Sequence, residues 1–175
     1  MKILISLYVI FALVLFIYLL LPGYSFPNPP PGAVQSMEQA DTETPLRQAY
    51  FTDFTRTEVV DYYQNQMSRS SFFSLPMPTL LLNYPPEDAQ TLIRDQTRSV
   101  YLQEIVHPLR ESVYVNGFIP KSAKDDIWYK GVHYQEKITI RFVPGSRVPR
   151  LIIGSFIIFS VALIYFETRN LTKYD

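Results

Sequence analysis

The chain has 175 residues, with 16 Lys+Arg against 16 Asp+Glu, 14 prolines, six glycines and no cysteine. That length fits one modest domain, and a net charge of zero leaves no basic footprint for nucleic acid. The lack of cysteine excludes disulfides, thiolate metal sites, a cysteine nucleophile and a lipidated cysteine.

Ile3 to Leu21 holds no charge and one polar residue, Ser6. At about 1.5 Å per residue it reaches about 28 Å, close to the ~30 Å hydrocarbon core of a bilayer. Residues 1–21 are therefore expected to form a transmembrane helix. Lys2 and the triplet Gly23-Tyr24-Ser25 also fit a signal peptide in part, but signal h-regions are shorter and Pro27 crowds the cleavage point. Pro22 to Pro31 carries five prolines. Proline fixes φ and lacks an amide hydrogen, so residues 22–48 are expected to form an extended stalk.

An α+β domain is expected over residues 49–146, with two short helices on one face of a mainly antiparallel sheet. Thr55 and Glu58 form a capping-box pattern, and Val59, Val60, Tyr63 and Met67 then share one helical face. Thr79 to Leu82 reads as a short strand, placed at an edge by Pro76 and Pro78. Pro85, Pro86, Glu87 and Asp88 begin a second helix. Leu109 to Phe118 alternates, and Asn116-Gly117 reads as a turn. Ile127 to Val143 reads as a hairpin through Lys130-Gly131, with Val132 to Val143 as one long strand. Leu151 to Phe166 is a second uncharged run flanked by Arg150 and Arg169, so residues 149–167 are again expected to span a membrane and residues 168–175 to form a cytoplasmic tail. Lys2 and the absence of any further Lys or Arg before Arg47 set the N-terminus in the cytoplasm. Two spans return the chain to the same side, so the middle is expected outside the cytoplasm.

Catalytic templates are poorly served. The glycines are isolated, no serine sits in a Gly-x-Ser-x-Gly setting, and there are only two histidines, His107 and His133. Glu104-x-x-His107 copies half of a carboxylate di-metal motif, without the second copy that the motif needs. No cofactor or metal is expected. Tyr50, Phe54 and Tyr62 are candidate partner-binding aromatics, since tyrosine patches suit protein interfaces. Arg141, Arg147 and Arg150 are candidate membrane-surface basics, in a segment with seven bases and three acids between Lys121 and Arg150. Asn170-x-Thr172 has the form of a glycosylation sequon, but falls on the expected cytoplasmic tail.

The stretch from Asn83 to Tyr134, which includes NYPPEDAQTLIRDQTRSVYLQEIVHPLRESVYVNGF, resembles uncharacterised membrane-anchored proteins found in genomes of uncultivated bacteria. The resemblance implies a bacterial envelope location and transfers no activity, cofactor or site. Together these features lead to the expectation of a non-catalytic protein of the cytoplasmic membrane. Its extracytoplasmic domain would serve protein–protein interaction or envelope-complex assembly, with membrane lipids and a protein as partners and no nucleic acid. The alternatives are an envelope hydrolase or metal-dependent enzyme using His107, His133 and the glutamates, and a domain binding lipid or a small ligand.

Overall fold

A computed structural model describes residues 2–70, 73–94 and 98–171. The chain divides into two compact units, one made of Met1–Pro22 with Gly145–Asp175 and the other of Gly23–Pro144. The first unit contains two helices, α1 (Lys2–Leu20) and α4 (Arg147–Leu171), both long and apolar enough to cross a membrane. They lie antiparallel, since Leu19 packs at Gly154 and Tyr8 donates a 2.8 Å hydrogen bond to the Ile158 carbonyl. Gly154 permits this approach: a Cβ there would collide with the Leu19 side chain. Small residues play this part where helices pack without help from the hydrophobic effect.

The second unit is built on six antiparallel strands: β1 (Val34–Gln35), β2 (Arg47–Thr52), β3 (Leu80–Tyr84), β4 (Tyr101–Val106), β5 (Ser112–Phe118) and β8 (Glu136–Val143). Their order is β1-β2-β8-β5-β4-β3. A separate hairpin pairs β6 (Ile127–Tyr129) with β7 (Val132–Tyr134). Its turn has Lys130 and Gly131 both at positive φ, 51° and 80°, as a two-residue turn matched to strand twist requires. The expected long strand from Val132 breaks at Gln135, whose amide donates to Asp53 Oδ1 instead of to a ladder (3.1 Å).

Strand alternation gives the sheet two buried faces. Tyr50, Tyr101, Ile105, Val113, Val115, Ile138, Ile140 and Phe142 form one, covered by Val59, Val60, Tyr63 and Met67 of helix α2 (Arg56–Met67). The capping box at Thr55 and Glu58 is present. On the opposite face, Leu102 packs with Ala89 and Ile93 around the short helix α3 (Ala89–Leu92), and Phe51 packs with Ile127 and Tyr134. The two short helices thus lie on opposite faces, where one face was expected for both. Register is the reason: Leu102, next to Tyr101 in β4, must point the other way.

Two further expectations are corrected. The proline-rich residues do not stand free as a stalk. Tyr24, Phe26 and Ala33 pack on the core of α2 and the sheet. Asn28 exchanges two hydrogen bonds with the Gln66 side chain (3.1 and 3.0 Å), and Tyr62 Oη donates to the Pro29 carbonyl (2.7 Å). β1 then joins the sheet beside β2. Proline-rich backbone has few donors of its own, so side chains of α2 supply the contacts. Asn116-Gly117 is not a turn: both residues sit inside β5, opposite Thr139 and Ile138 of β8. A Cβ at position 117 would run into the Tyr101 ring and the Glu136 carboxylate, so glycine serves packing there.

Candidate functional site

The three candidate aromatics do not form an exposed patch. Tyr50 is core, and Phe54 is half-buried against that core. Tyr62 is half-buried, edge-on to Tyr63 with ring centroids 5.4 Å apart, and its hydroxyl holds the proline arm. The basic residues separate as well. Arg141 Nη1 donates to the Leu92 carbonyl at the end of α3. Arg147 is exposed at the start of α4, whereas Arg150 is 4% exposed and donates to the Gly145 carbonyl (3.3 Å). Thr172 of the sequon lies outside the described residues.

The groups weighed for catalysis are not brought together. His107 sits in the β4–β5 turn, beside the strand ends at Val106 and Ser112. His133 lies in the β6–β7 hairpin, which leads into β8 from the other end of the sheet, where Phe118 faces Lys137. The intervening length of β5 is about 20 Å at ~3.4 Å per residue. Glu104 accepts a 2.6 Å hydrogen bond from Tyr84 Oη. Among the described residues no three His, Cys, Asp or Glu side chains gather as a metal site.

Three buried polar clusters hold the domain instead. His107 is fully buried, with Nδ1 3.3 Å from Glu111 Oε1 and Nε2 2.5 Å from the Met67 carbonyl. Met67 ends α2, so the imidazole satisfies a helix-terminal carbonyl and ties the β4–β5 turn to the helix. Tyr24 Oη donates to the same carbonyl (3.3 Å). Burial pushes the Glu111 carboxyl up, but hydrogen bonds and charge from His107 and Arg110 outweigh it and hold the group below its usual range. On the other face, Lys137 Nζ lies 2.7 Å from Glu38 and 2.8 Å from Asp41, which also accepts from Ser36 Oγ (2.6 Å). Burial lowers the Lys137 ammonium pKa, yet its bonds to these two carboxylates raise it further. This network fastens the loop between β1 and β2. In the third cluster, Tyr101 Oη donates to Glu136 Oε1, and the Arg56 guanidinium lies 4.9 Å above the Tyr101 ring. Glu136 Oε2 is buried without a hydrogen-bond partner among the described residues. Desolvation dominates there and pushes the Glu136 carboxyl up to about 7, against the Tyr101 hydrogen bond and the Arg56 charge. At 1% exposure this acid is closed to substrate, and its effect falls on folding.

The domain also presents the edge strand β3 outward. It pairs with β4 on one side only and ends the sheet. Leu80, Leu81 and Leu82 are 55%, 37% and 42% exposed, so both faces of the strand are open. An edge strand points alternate amides and carbonyls away from its neighbour, and natural edges are usually blunted by charge or bulges. Leu80 to Tyr84 has neither, only Pro78 before it and Pro85 after it. The strand is also held in place. Met77, 6% exposed, donates its amide to the Ser68 carbonyl (2.8 Å) at the end of α2, and Arg69 bridges to Pro76. Proline spacing marks this edge in the sequence. The further signal is the run of three leucines, which breaks the in/out alternation that a half-buried strand needs. Compared with models of protein families, with curated proteins and with solved structures, the chain matches none.

Proposed function

We propose that the chain is a membrane-anchored assembly protein that holds its α+β domain outside the cytoplasm and binds a protein partner at β3. The partner contributes an extended, apolar segment that adds to the sheet as a further strand. The exposed leucine edge carries this reading. Main-chain hydrogen bonds to the open edge supply affinity, and the two leucine faces supply apolar contact. No charge on β3 opposes an uncharged strand. For the placement, Lys2 and the basic-free stretch up to Arg47 favour a cytoplasmic N-terminus, antiparallel α1 and α4 keep both ends on one side, and a long intervening segment translocates largely regardless of its charge.

Because the chain has no cysteine, a single Lys124→Cys substitution at an exposed position gives one unique thiol. Labelling by a membrane-impermeant maleimide in intact cells is the expected result, and labelling only after lysis would overturn the placement. The partner reading predicts that Leu82→Lys, which puts a charge on the open edge, weakens co-purification of the partner by about tenfold or more, the worth of one buried leucine. Undiminished recovery with a folded variant would refute it.

A further inference from the structure

The hairpin β6–β7 carries a second feature. Its register puts Trp128 opposite His133, between the pairs Ile127–Tyr134 and Tyr129–Val132. Successive pairs turn to opposite faces. Ile127 and Tyr134 are buried with Phe51, and Tyr129 stacks on the Phe51 ring at 4.4 Å. The Trp128–His133 pair therefore faces outward. Trp128, the single tryptophan of the chain, is 66% exposed. Its ring centroid lies 5.2 Å from that of His133, at an interplanar angle of 61°. Asp126 joins them: its Oδ2 is 4.0 Å from His133 Nε2, and both of these side chains are exposed. The packing on Phe51 and the Gln135 bond to Asp53 hold this face in place.

We infer that this outer face binds a neutral sugar, with one pyranose ring stacked on Trp128 and one hydroxyl shared between His133 and Asp126. The 4.0 Å separation is too long for a direct hydrogen bond, and it admits one oxygen at about 2.8 Å from each group. A hydroxyl fits that place because it accepts from Nε2–H and donates to the carboxylate at once. A pyranose with equatorial hydroxyls joins such groups to a flat face of axial C–H bonds, which suits the electron-rich face of an indole. The hairpin face consists of two three-residue strands. It is about 10 Å long with strands about 5 Å apart, the footprint of one or two sugar rings. A stable protein interface takes about 800 Å² from each partner, more than this face offers. Insertion of the indole into a bilayer would strip water from the Asp126 carboxylate beside it. The same carboxylate opposes an anionic ligand, and Lys130, the one lysine of the hairpin, lies over the Tyr129 ring of the inner face instead (5.2 Å).

The test uses the full chain in an amine-oxide detergent, which has no sugar headgroup, and follows selectively excited indole fluorescence, which comes from Trp128 alone. The probes are triacetylchitotriose and cellotriose, both β-linked with equatorial hydroxyls. A saturable shift of the emission to shorter wavelength with either is the expected result. Sorbitol, which has hydroxyls but no ring face, should leave the emission unchanged. His133→Phe keeps a ring beside Trp128 but removes the N–H, and Asp126→Ala removes the carboxylate; each should weaken the titration about tenfold, the worth of one hydrogen bond to a charged group. Trp128→Ala should remove binding as read by saturation-transfer NMR of the sugar. Leu82→Lys, on β3, should leave the titration as it is, so failure of this inference and failure of the partner reading are separate results. The absence of a saturable shift with both trisaccharides would overturn the inference, as would an equal response to sorbitol or binding undiminished in both His133→Phe and Asp126→Ala. Quenching of Trp128 by brominated lipid in proteoliposomes would also overturn it, because the indole would then lie in the bilayer.

Discussion

Glu136→Gln isolates the most unusual electrostatic feature of the domain. Glu136 faces the α2 side of the sheet, with one oxygen on Tyr101 and the other without a partner among the described residues. Its carboxyl is pushed from 4.5 to about 7. At about 1.36 kcal/mol per pH unit, that displacement is worth about 3 kcal/mol. The folded chain keeps a proton that the unfolded chain releases from about pH 4.5 upward, so stability falls as pH rises to about 7 and is level above it. Glutamine has the same shape, carries no charge and still accepts from Tyr101. The variant is expected to be more stable than the unaltered chain by about 2–3 kcal/mol at pH 8, after about 1 kcal/mol for a buried amide without an acceptor. Near pH 4.5 the advantage disappears or slightly reverses. Urea unfolding of the full chain in micelles, followed by near-ultraviolet circular dichroism from pH 4.5 to 8.5, reads this difference. The contribution from Glu111 is common to both chains and cancels. A difference that does not vary with pH, or a variant less stable at pH 8, would refute the reasoning.

Other positions test the remaining contacts. His107→Ala removes the imidazole between Glu111 and the α2 terminus and should cost about 3 kcal/mol, with faster hydrogen exchange at Ser68 and Met77; His107→Gln should restore part of it. Gly117→Ala should cost about 1–3 kcal/mol, because its methyl group enters the space of Tyr101 and Glu136, and an unchanged thermal midpoint would contradict that packing. Tyr62→Phe should cost about 1 kcal/mol and speed proteolysis between Gly23 and Gly32 while the sheet remains protected. Lys137→Met leaves the buried Asp41 carboxylate without its ammonium and should cost about 3 kcal/mol, measured by the same urea unfolding.

The features legible in the sequence are those whose cause is local. The capping box at Thr55 and Glu58, the Lys130-Gly131 turn, the α2 face and the two apolar helices each depend on a few neighbouring residues. Pro76 and Pro78 likewise mark β3 as an edge. Other features depend on residues far apart in the chain. The arm from Tyr24 to Ala33 reads as a stalk because its contacts come from Tyr62, Gln66 and Met67, not from its own amides. Gly117 reads as a turn glycine because nothing nearby reveals the Tyr101 ring packed over it. β2, in the sequence RQAYFT, shows no alternation because both of its faces are covered. Tyr50, Phe54 and Tyr62 have the chemistry of an interface, but a domain of this size draws on the same aromatics to fill its core. The leucine edge was readable as a strand and not as a surface, since exposure is a property of the sheet order.

The central claim, that β3 is the docking edge, is tested most directly by photo-crosslinking in native membranes. A photoreactive residue at Leu81 is compared with one at Thr57, which is exposed on α2. The account predicts a discrete adduct with a single partner from position 81, lost on adding Leu82→Lys, and no such adduct from position 57. No adduct from position 81, or one that also forms from position 57 and survives Leu82→Lys, would contradict it.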